Sequence, residues 1–163
     1  SEDTFFNNEI DYNMMRYTFC IITQISTSRE LNRVSPNNIA EQSTRYVYEN
    51  GNLCRPYWIS PAEAELFNNN NSFELDEAVN LYLNECNNSF NTYKFLIEYY
   101  NFSRQDARGV LPLDTATKCI YTYSINEWKH IIKLRSDNAA HSNAQIIANM
   151  IKNELENLGY EFN

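Results

Sequence analysis

The chain has 163 residues, of which 43% are hydrophobic and 14% aromatic. This composition is ample for one domain with a single core, so we expect a single domain over residues 1–163. The formal net charge is −8, and no Lys/Arg-rich run offsets it. Because an acidic surface repels a phosphate backbone, we expect no nucleic-acid polymer as a partner.

No apolar run approaches the roughly 18 residues that span a bilayer, and the N-terminus lacks the basic and apolar segments of a signal peptide. We expect no membrane contact and a cytoplasmic location, in a host cytoplasm if the source is viral. The cysteines are far apart and form no C-x-x-C pair, which predicts reduced, mostly buried thiols and no metal site. They are Cys20, Cys54, Cys86 and Cys119.

The first predicted element is a strand within residues 14–25, which are rich in β-branched and aromatic side chains. Ser28 can cap a short helix that runs through Asn32, and Pro36 ends it. The pair Asn50-Gly51 indicates a turn. Residues 53–59 read as a short extended segment around Pro56.

The strongest periodic signal follows Asn71, where apolar residues recur every three or four positions and predict a long amphipathic helix. They are Leu75, Val79, Tyr82, Cys86, Phe90, Tyr93, Ile97 and Tyr100. Ser103 can cap a short helix that stops at Gly109. Residues 115–123 alternate as a strand, and two helices are predicted from Asn126 and over 139–158, the latter closed by Gly159. The pattern indicates the α+β class: an antiparallel sheet packed with the long helix and C-terminal helices.

Only three glycines are present, too few for a glycine-rich phosphate loop, so side chains must hold any phosphate. Four arginines lie near helix ends or in loops without an obvious i,i+4 glutamate: Arg33, Arg45, Arg108 and Arg135. If they converge, their guanidinium groups suit a small anion. The alternative is that each forms a surface or interface ion pair.

Residues 33–46 read Arg-Val-Ser-Pro-Asn-Asn-Ile-Ala-Glu-Gln-Ser-Thr-Arg-Tyr. This stretch resembles the signature of the flavin-dependent thymidylate synthases, Arg-His-Arg, seven residues, then Ser-x-Arg. Arg33, Ser43 and Arg45 match at the required spacing, whereas Val34 and Ser35 replace the His and the second Arg. Residues 106–112 and 127–141 resemble two further family blocks, so the resemblance runs from about residue 14 to residue 158.

The resemblance implies the conversion of dUMP to dTMP, with methylenetetrahydrofolate as carbon donor and NADPH as reductant through bound FAD. It also implies a homotetramer with sites shared between subunits. Arg135 would contact the uracil ring and stabilise the charge that develops there, which makes it the implied catalytic residue. The implied dUMP-binding residues are Arg33, Glu41, Gln42, Ser43, Arg45, Arg108 and Arg135.

The departures from the family lie at the implied flavin positions, which are Arg33, Val34, Ser35, Ser124, Asn126, His130 and His141. Ser124 and Asn126 stand where the family has Asn-x-Arg, and Asn13-Met14 replaces a Glu-His pair. The family's segment before Met14 is largely absent, which indicates a divergent or N-terminally shortened member.

Several alternatives stay open at this point. One is a non-catalytic dUMP-binding relative, a sensor or partner subunit that has lost flavin binding, and another is a small α+β interaction protein with no ligand. His141 can cap a helix rather than touch a ligand. Cys54 reads as a plain buried thiol, because nothing around it supplies the context of the nucleophile in the unrelated classical thymidylate synthase.

Overall fold

The computed structural model describes residues 9–34, 38–46, 49 and 51–162. Short 3-10 turns also occur at Ser72–Glu74 and Arg108–Val110. The helices and strands, in chain order, are α1 (Glu9–Met14), β1 (Arg16–Gln24), α2 (Ile25–Asn32), β2 (Ile39–Glu41), α3 (Pro61–Asn68), α4 (Glu77–Glu98), α5 (Arg104–Ala107), β3 (Ala116–Ser124), α6 (Ile125–Arg135) and α7 (Ser142–Asn157).

The architecture confirms the α+β class. The three strands form one antiparallel sheet in the order β1-β3-β2, and β2 pairs with β3 from Ile39 opposite Tyr121 to Glu41 opposite Cys119. The contacts divide the chain into two compact units. Unit 1 comprises residues 1–21, 27–41 and 118–163, and unit 2 comprises 22–26 and 42–117. A single domain over 1–163 stays a prediction.

The core of unit 1 is an aromatic and aliphatic cluster from the sheet and from helices α6 and α7. Tyr123 packs edge-on against Trp128 at 5.0 Å between ring centroids, and the Trp128 indole donates to the Tyr17 carbonyl at 3.2 Å. Ser124 caps α6 and forms a capping box with Glu127, so the helix begins where β3 ends. The two C-terminal helices predicted from the sequence are confirmed.

Unit 2 is built around α4, the long predicted helix. Its buried positions recur every three or four residues, and Leu83 is buried where the sequence pattern had Tyr82: Val79, Leu83, Cys86, Phe90 and Tyr93. Asp76 caps the helix by accepting from the Ala78 amide at 2.9 Å. The helix ends at Glu98, two residues before the last apolar position of the pattern.

Helix α2 begins at Ile25 and not at Ser28 as predicted. The amide of Ile25 donates to the Thr115 carbonyl and that of Ser26 to the Leu113 carbonyl, both at 3.0 Å. These bonds satisfy first-turn donors that otherwise need a side-chain cap. Ser28 is therefore not needed as the cap and lies inside the helix, where it is fully buried.

Three elements escaped the sequence analysis: helix α1, strand β2 and helix α3. Helix α3 carries a local signal, a capping box between Ser60 and Glu63 with Pro61 in its first turn, which resembles the Ser-x-x-Glu start pattern. Strand β2 has only three residues and exists through its pairing with β3. Ser103 caps α5 as predicted, and Gly51 has φ +90° at the predicted turn, while Asn50 and Pro36 lie outside the described residues.

The four cysteines are free thiols. Cys86 and Cys119 are buried and Cys54 is half-buried, whereas Cys20 is exposed on β1, contrary to the general expectation of burial. None of the helices in the described part of the chain is long and apolar enough to cross a membrane.

Candidate functional site

The start of the signature lies in unit 1, in the turn that follows α2. Arg33 is exposed. The Val34 amide donates to the Leu31 carbonyl at 3.3 Å, and the Val34 side chain packs against the core of unit 1. An apolar side chain therefore serves packing at the position where the family signature has histidine. Ser35 lies outside the described residues.

Glu41, at the end of β2, is held at both carboxylate oxygens. The fully buried Ser28 hydroxyl donates to Oε1 at 2.6 Å, and the Asn32 amide donates to Oε2 at 3.1 Å. The Tyr121 hydroxyl in turn donates to Oδ1 of Asn32 at 2.7 Å. These four side chains form one hydrogen-bonded network in unit 1, called here the Glu41 network.

The Glu41 carboxylate affects the buried groups behind it on β3. Burial, and then the charge of Glu41, raise the pKa of the Cys119 thiol to about 11. Burial is also the largest cause that raises the pKa of Tyr121 above its ordinary value. Both groups are therefore protonated at neutral pH, so the Tyr121 hydroxyl keeps its donor proton for Asn32.

Arg135 ends α6 and contacts Glu30 of α2. One guanidinium nitrogen donates to the Glu30 carbonyl at 2.8 Å, and another lies 3.9 Å from the Glu30 carboxylate. The His141 amide donates to the same carboxylate at 3.3 Å. Nε of Arg135 is buried and has no hydrogen-bond partner among the described residues. Arg135 is therefore engaged by the carboxylate and the carbonyl of Glu30.

Three of the remaining positions at which the resemblance implies flavin contacts, Ser124, Asn126 and His141, carry structural contacts in unit 1. Ser124 is the N-cap of α6, and the Asn126 amide donates to Asn13 at 2.7 Å. His141 is the N-cap of α7, and its Nδ1 accepts from the Asn143 amide at 3.2 Å, so the capping interpretation is confirmed. His130 is exposed on α6.

The rest of the signature begins unit 2. The Gln42 amide donates to Glu49 at 3.3 Å. Glu49 is buried, and its backbone N–H donates to the Tyr93 hydroxyl at 3.4 Å. Burial raises the pKa of the Glu49 carboxyl, and the hydrogen bond from Gln42 opposes that shift. Gln42 is therefore engaged with a buried acid.

Arg45 is oriented by a neutral partner. Its Nε and one terminal nitrogen both donate to Oε1 of Gln105, at 3.1 and 3.0 Å, and its guanidinium lies 5.3 Å from the centre of the Tyr46 ring. Ser43 accepts from the Arg45 amide at 3.3 Å. Arg104 donates to the Tyr46 carbonyl at 2.6 Å, which fixes the loop that carries Arg45.

Arg108 is exposed in the 3-10 turn after α5. The nearby Asp106 carboxylate accepts from the Ser103 hydroxyl at 2.6 Å and so belongs to the cap of α5. Among the described residues, Arg45, Arg104 and Arg108 have no carboxylate within ion-pair distance. We call these three side chains the unit 2 arginine group.

Several of these residues were not predicted from the sequence. Arg104 and Gln105 stand directly before the matched Asp106–Arg108 segment, so their proximity in sequence was an available signal. Glu30, Ser28 and Asn32 carried none, because their partners Arg135, Glu41 and Tyr121 are set by tertiary contacts.

An open cavity of about 390 Å³ also lies in unit 2. Its lining includes Leu53, Phe67, Leu83, Cys86 and Phe90 but none of the predicted site residues. In the described residues, no group of three or more His, Cys, Asp or Glu side chains is arranged to hold a metal ion. Burial raises the pKa of the Cys54 thiol, which disfavours the thiolate that a nucleophile requires.

The family model for the thymidylate synthase complementing protein matches residues 12–158. The chain belongs to this family. A comparison with individual curated proteins finds no significant match. Among solved structures, the chain is similar to thymidylate synthase X from Helicobacter pylori, solved with FAD and dUMP, with 19% identity and a TM-score of 0.65. The similarity covers 86% of this chain and 67% of that one.

A second structure of the Helicobacter pylori flavin-dependent enzyme, also complexed with FAD and dUMP, has the same identity and TM-score and is covered to 68%. At this identity the structural similarity establishes the fold. The family membership rests on the match over residues 12–158.

Proposed function

We propose that this protein is a flavin-dependent thymidylate synthase that converts dUMP to dTMP, with methylenetetrahydrofolate as carbon donor and NADPH as reductant through FAD. The observation that carries the proposal is the retention of the nucleotide end of the family signature within a chain that matches the family over residues 12–158. The proposal includes a homotetramer with sites shared between subunits.

The phosphate of dUMP would bind Arg45 and Arg108. Guanidinium groups pair with phosphate through charge-assisted hydrogen bonds. Both are exposed and lack a carboxylate partner among the described residues, so their charge is available to an anion. Glu41, Gln42 and Ser43 would complete the contacts to the nucleotide.

Arg135 would lie beside the uracil ring. Charge develops on the pyrimidine as its C5 atom is alkylated, and a fixed cation beside the ring stabilises that charge where water is excluded. The contact with Glu30 holds the guanidinium in place before the substrate arrives. A preoriented cation needs less reorganisation during the reaction.

Residues of unit 1 would provide a partial set of contacts for FAD. Arg33, His130 and His141 are exposed, and a cation and two imidazoles are suitable donors for a cofactor that carries phosphates. These three residues would hold the flavin. When bound, FAD supplies the hydride, so the protein itself contributes mainly binding and orientation.

A second candidate is a non-catalytic dUMP-binding relative. Val34 packs against a core, and Asn126 is bonded to Asn13, so two flavin positions of the family are used for structural contacts. Each charge-assisted bond lost from a cofactor site removes roughly one to two powers of ten in affinity. Several such losses together would abolish FAD binding.

Titration of the purified protein with FAD, with and without dUMP, separates the two candidates. Saturable quenching of flavin fluorescence that dUMP perturbs supports the synthase, and NADPH oxidation and dTMP formation are then measured. A folded protein that binds dUMP but not FAD is the non-catalytic relative. Binding of neither ligand contradicts both.

A further inference from the structure

Glu41 is the proposed dUMP contact in unit 1 whose side chain has hydrogen-bond partners at both carboxylate oxygens. Two donors reach its two carboxylate oxygens, from Ser28 at 2.6 Å and Asn32 at 3.1 Å, and the Tyr121 hydroxyl holds Asn32 at 2.7 Å. We propose that Ser28 and Asn32 are positioning residues that orient Glu41 toward a hydrogen-bond donor of dUMP. This inference rests on the proposed function.

The network makes Glu41 rigid although the residue is exposed. A glutamate on a surface samples many rotamers, and a ligand that binds it must restrict them. Here the restriction is already present in the protein, because Ser28 is fully buried on α2 and Glu41 lies on a strand whose register places it opposite Cys119. Such support from a second layer of residues is how a binding group is held in productive geometry.

The chemistry of the carboxylate defines what it receives. An ionised carboxylate only accepts hydrogen bonds and has about four acceptor positions. Ser28 and Asn32 each donate to one oxygen, and Glu41 is an exposed residue that a ligand can reach. The phosphate of dUMP is excluded from Glu41 because like charges repel. The partner is therefore one of the two donor groups of the nucleoside, the sugar 3′-hydroxyl or the ring N3–H.

The orientation of Asn32 is essential to this arrangement. An asparagine amide offers both a donor and an acceptor, and only the donor end stabilises Glu41. The Tyr121 hydroxyl donates to Oδ1 of Asn32, which turns the NH₂ group toward Glu41. Loss of that hydroxyl removes the orientation without removing the amide, so Tyr121 belongs to the same network as a third link.

The test is calorimetric titration of the full chain with dUMP for Ser28→Ala, Asn32→Ala, Asn32→Asp and Tyr121→Phe. Loss of one such bond is expected to raise the dUMP Kd roughly tenfold. Asn32→Asp should weaken binding more than Asn32→Ala, because it places a second carboxylate against Glu41. The matched controls are Thr18→Val and Tyr17→Phe, which remove other side-chain hydrogen bonds of unit 1 and should leave Kd unchanged.

A double-mutant cycle with Glu41→Ala separates positioning from general damage to the fold. If Ser28 and Asn32 act through Glu41, their substitution has no further effect on Kd once Glu41 is alanine. If they only stabilise unit 1, their effect persists in that background. Thermal unfolding of each variant is recorded alongside, so that a variant that fails to fold is replaced by Tyr121→Phe, the least disruptive of the set.

Two analogues identify the donor. One is 2′,3′-dideoxyuridine monophosphate, which lacks the 3′-hydroxyl, and the other is N3-methyl-dUMP, which lacks the N3–H. The analogue that lacks the donor bound by Glu41 should have the same Kd for wild type and for Glu41→Ala. Unchanged dUMP affinity in all four network variants would overturn the positioning role alone. A folded wild-type protein that does not bind dUMP would overturn the proposed function, and with it the role of Glu41.

Discussion

Two arginines of the candidate site, one in each compact unit, have partners of opposite kinds. In unit 1, Arg135 contacts the carboxylate and the carbonyl of Glu30. In unit 2, Arg45 is oriented by the neutral amide of Gln105, and no described carboxylate lies within ion-pair distance of Arg45, Arg104 or Arg108. A neutral partner fixes a guanidinium while leaving its charge available, whereas an acidic partner fixes it and offsets the charge.

This difference matches the different roles proposed for the arginines. A phosphate brings its own negative charge, so the cations that bind it are most effective without an internal carboxylate. A cation beside a pyrimidine ring must instead remain in place before charge develops on the substrate. The unit 2 arginine group suits the first requirement and Arg135 suits the second.

The largest expected effect comes from Arg135→Ala. Turnover of dUMP should fall by about two to three powers of ten, the scale for removing one preorganised charge-stabilising group. Steady-state dTMP formation measures it, with Arg135→Lys as the variant that keeps the charge. Arg16→Ala is the control, since Arg16 forms an exposed ion pair with Glu127 in unit 1. If wild type shows no measurable turnover and Arg135→Ala loses only dUMP affinity, the protein is the non-catalytic relative.

The next largest effect is expected for Arg108→Ala in unit 2. Loss of one charge-assisted phosphate contact should raise the dUMP Kd about 10- to 100-fold, measured by calorimetry. Lys94→Ala is the matched control, because Lys94 is an exposed cation of α4 in the same unit. Equal effects of the two substitutions would mean that Arg108 acts only through the overall charge.

Gln105→Glu would give Arg45 of unit 2 an acidic partner, as Arg135 has in unit 1. The new carboxylate would stand about where the Gln105 oxygen accepts from Arg45 at 3.0–3.1 Å and would offset the Arg45 charge. We expect a several-fold higher dUMP Kd, roughly 1 kcal/mol of binding free energy. Gln105→Met, which removes the hydrogen bonds without adding charge, should have a smaller effect. Tighter binding by Gln105→Glu would contradict the phosphate role of Arg45.

The smallest expected effect concerns the stability of the folded protein and involves Glu49, the buried acid of unit 2. Burial raises the pKa of Glu49 above 4.5 in the folded protein. Its contribution to stability is therefore fully present below about pH 4.5 and is lost as pH rises through the raised pKa. Glu49→Gln should flatten this part of the pH dependence and raise the melting temperature at neutral pH. A melting curve with unchanged pH dependence would show that burial of Glu49 is not a significant cost.

The elements that the sequence predicted correctly are ones in which local periodicity or capping decides structure. The long helix α4 was recognised from the spacing of its apolar residues, and α5 from Ser103. Helix α3 was not predicted, although the capping box of Ser60 and Glu63 is a local signal present in the sequence. The early start of α2 was not accessible, because its first amides are satisfied by Leu113 and Thr115, which are distant in sequence.

Part of the candidate site was predictable from the sequence because its residues lie close together along the chain. The spacing of Arg33, Ser43 and Arg45 within one segment was sufficient to indicate the family that the match over residues 12–158 establishes. The contact between Glu30 and Arg135 joins residues 105 positions apart. No local pattern specifies such a pair, since side chains at that separation meet only through the packing of their helices.

The sequence by itself therefore determined the α+β class, the main helices and strands, the family and the identities of the candidate arginines, because these depend on periodicity and on spacing within short segments. Tertiary structure alone decided that Val34 packs into a core, that Glu41 is held by Ser28 and Asn32, and that Arg45 meets an amide while Arg135 meets a carboxylate. The reason is physical: the charge and orientation of a binding group depend on neighbours that the folded backbone brings within about 3 Å, the range of a hydrogen bond.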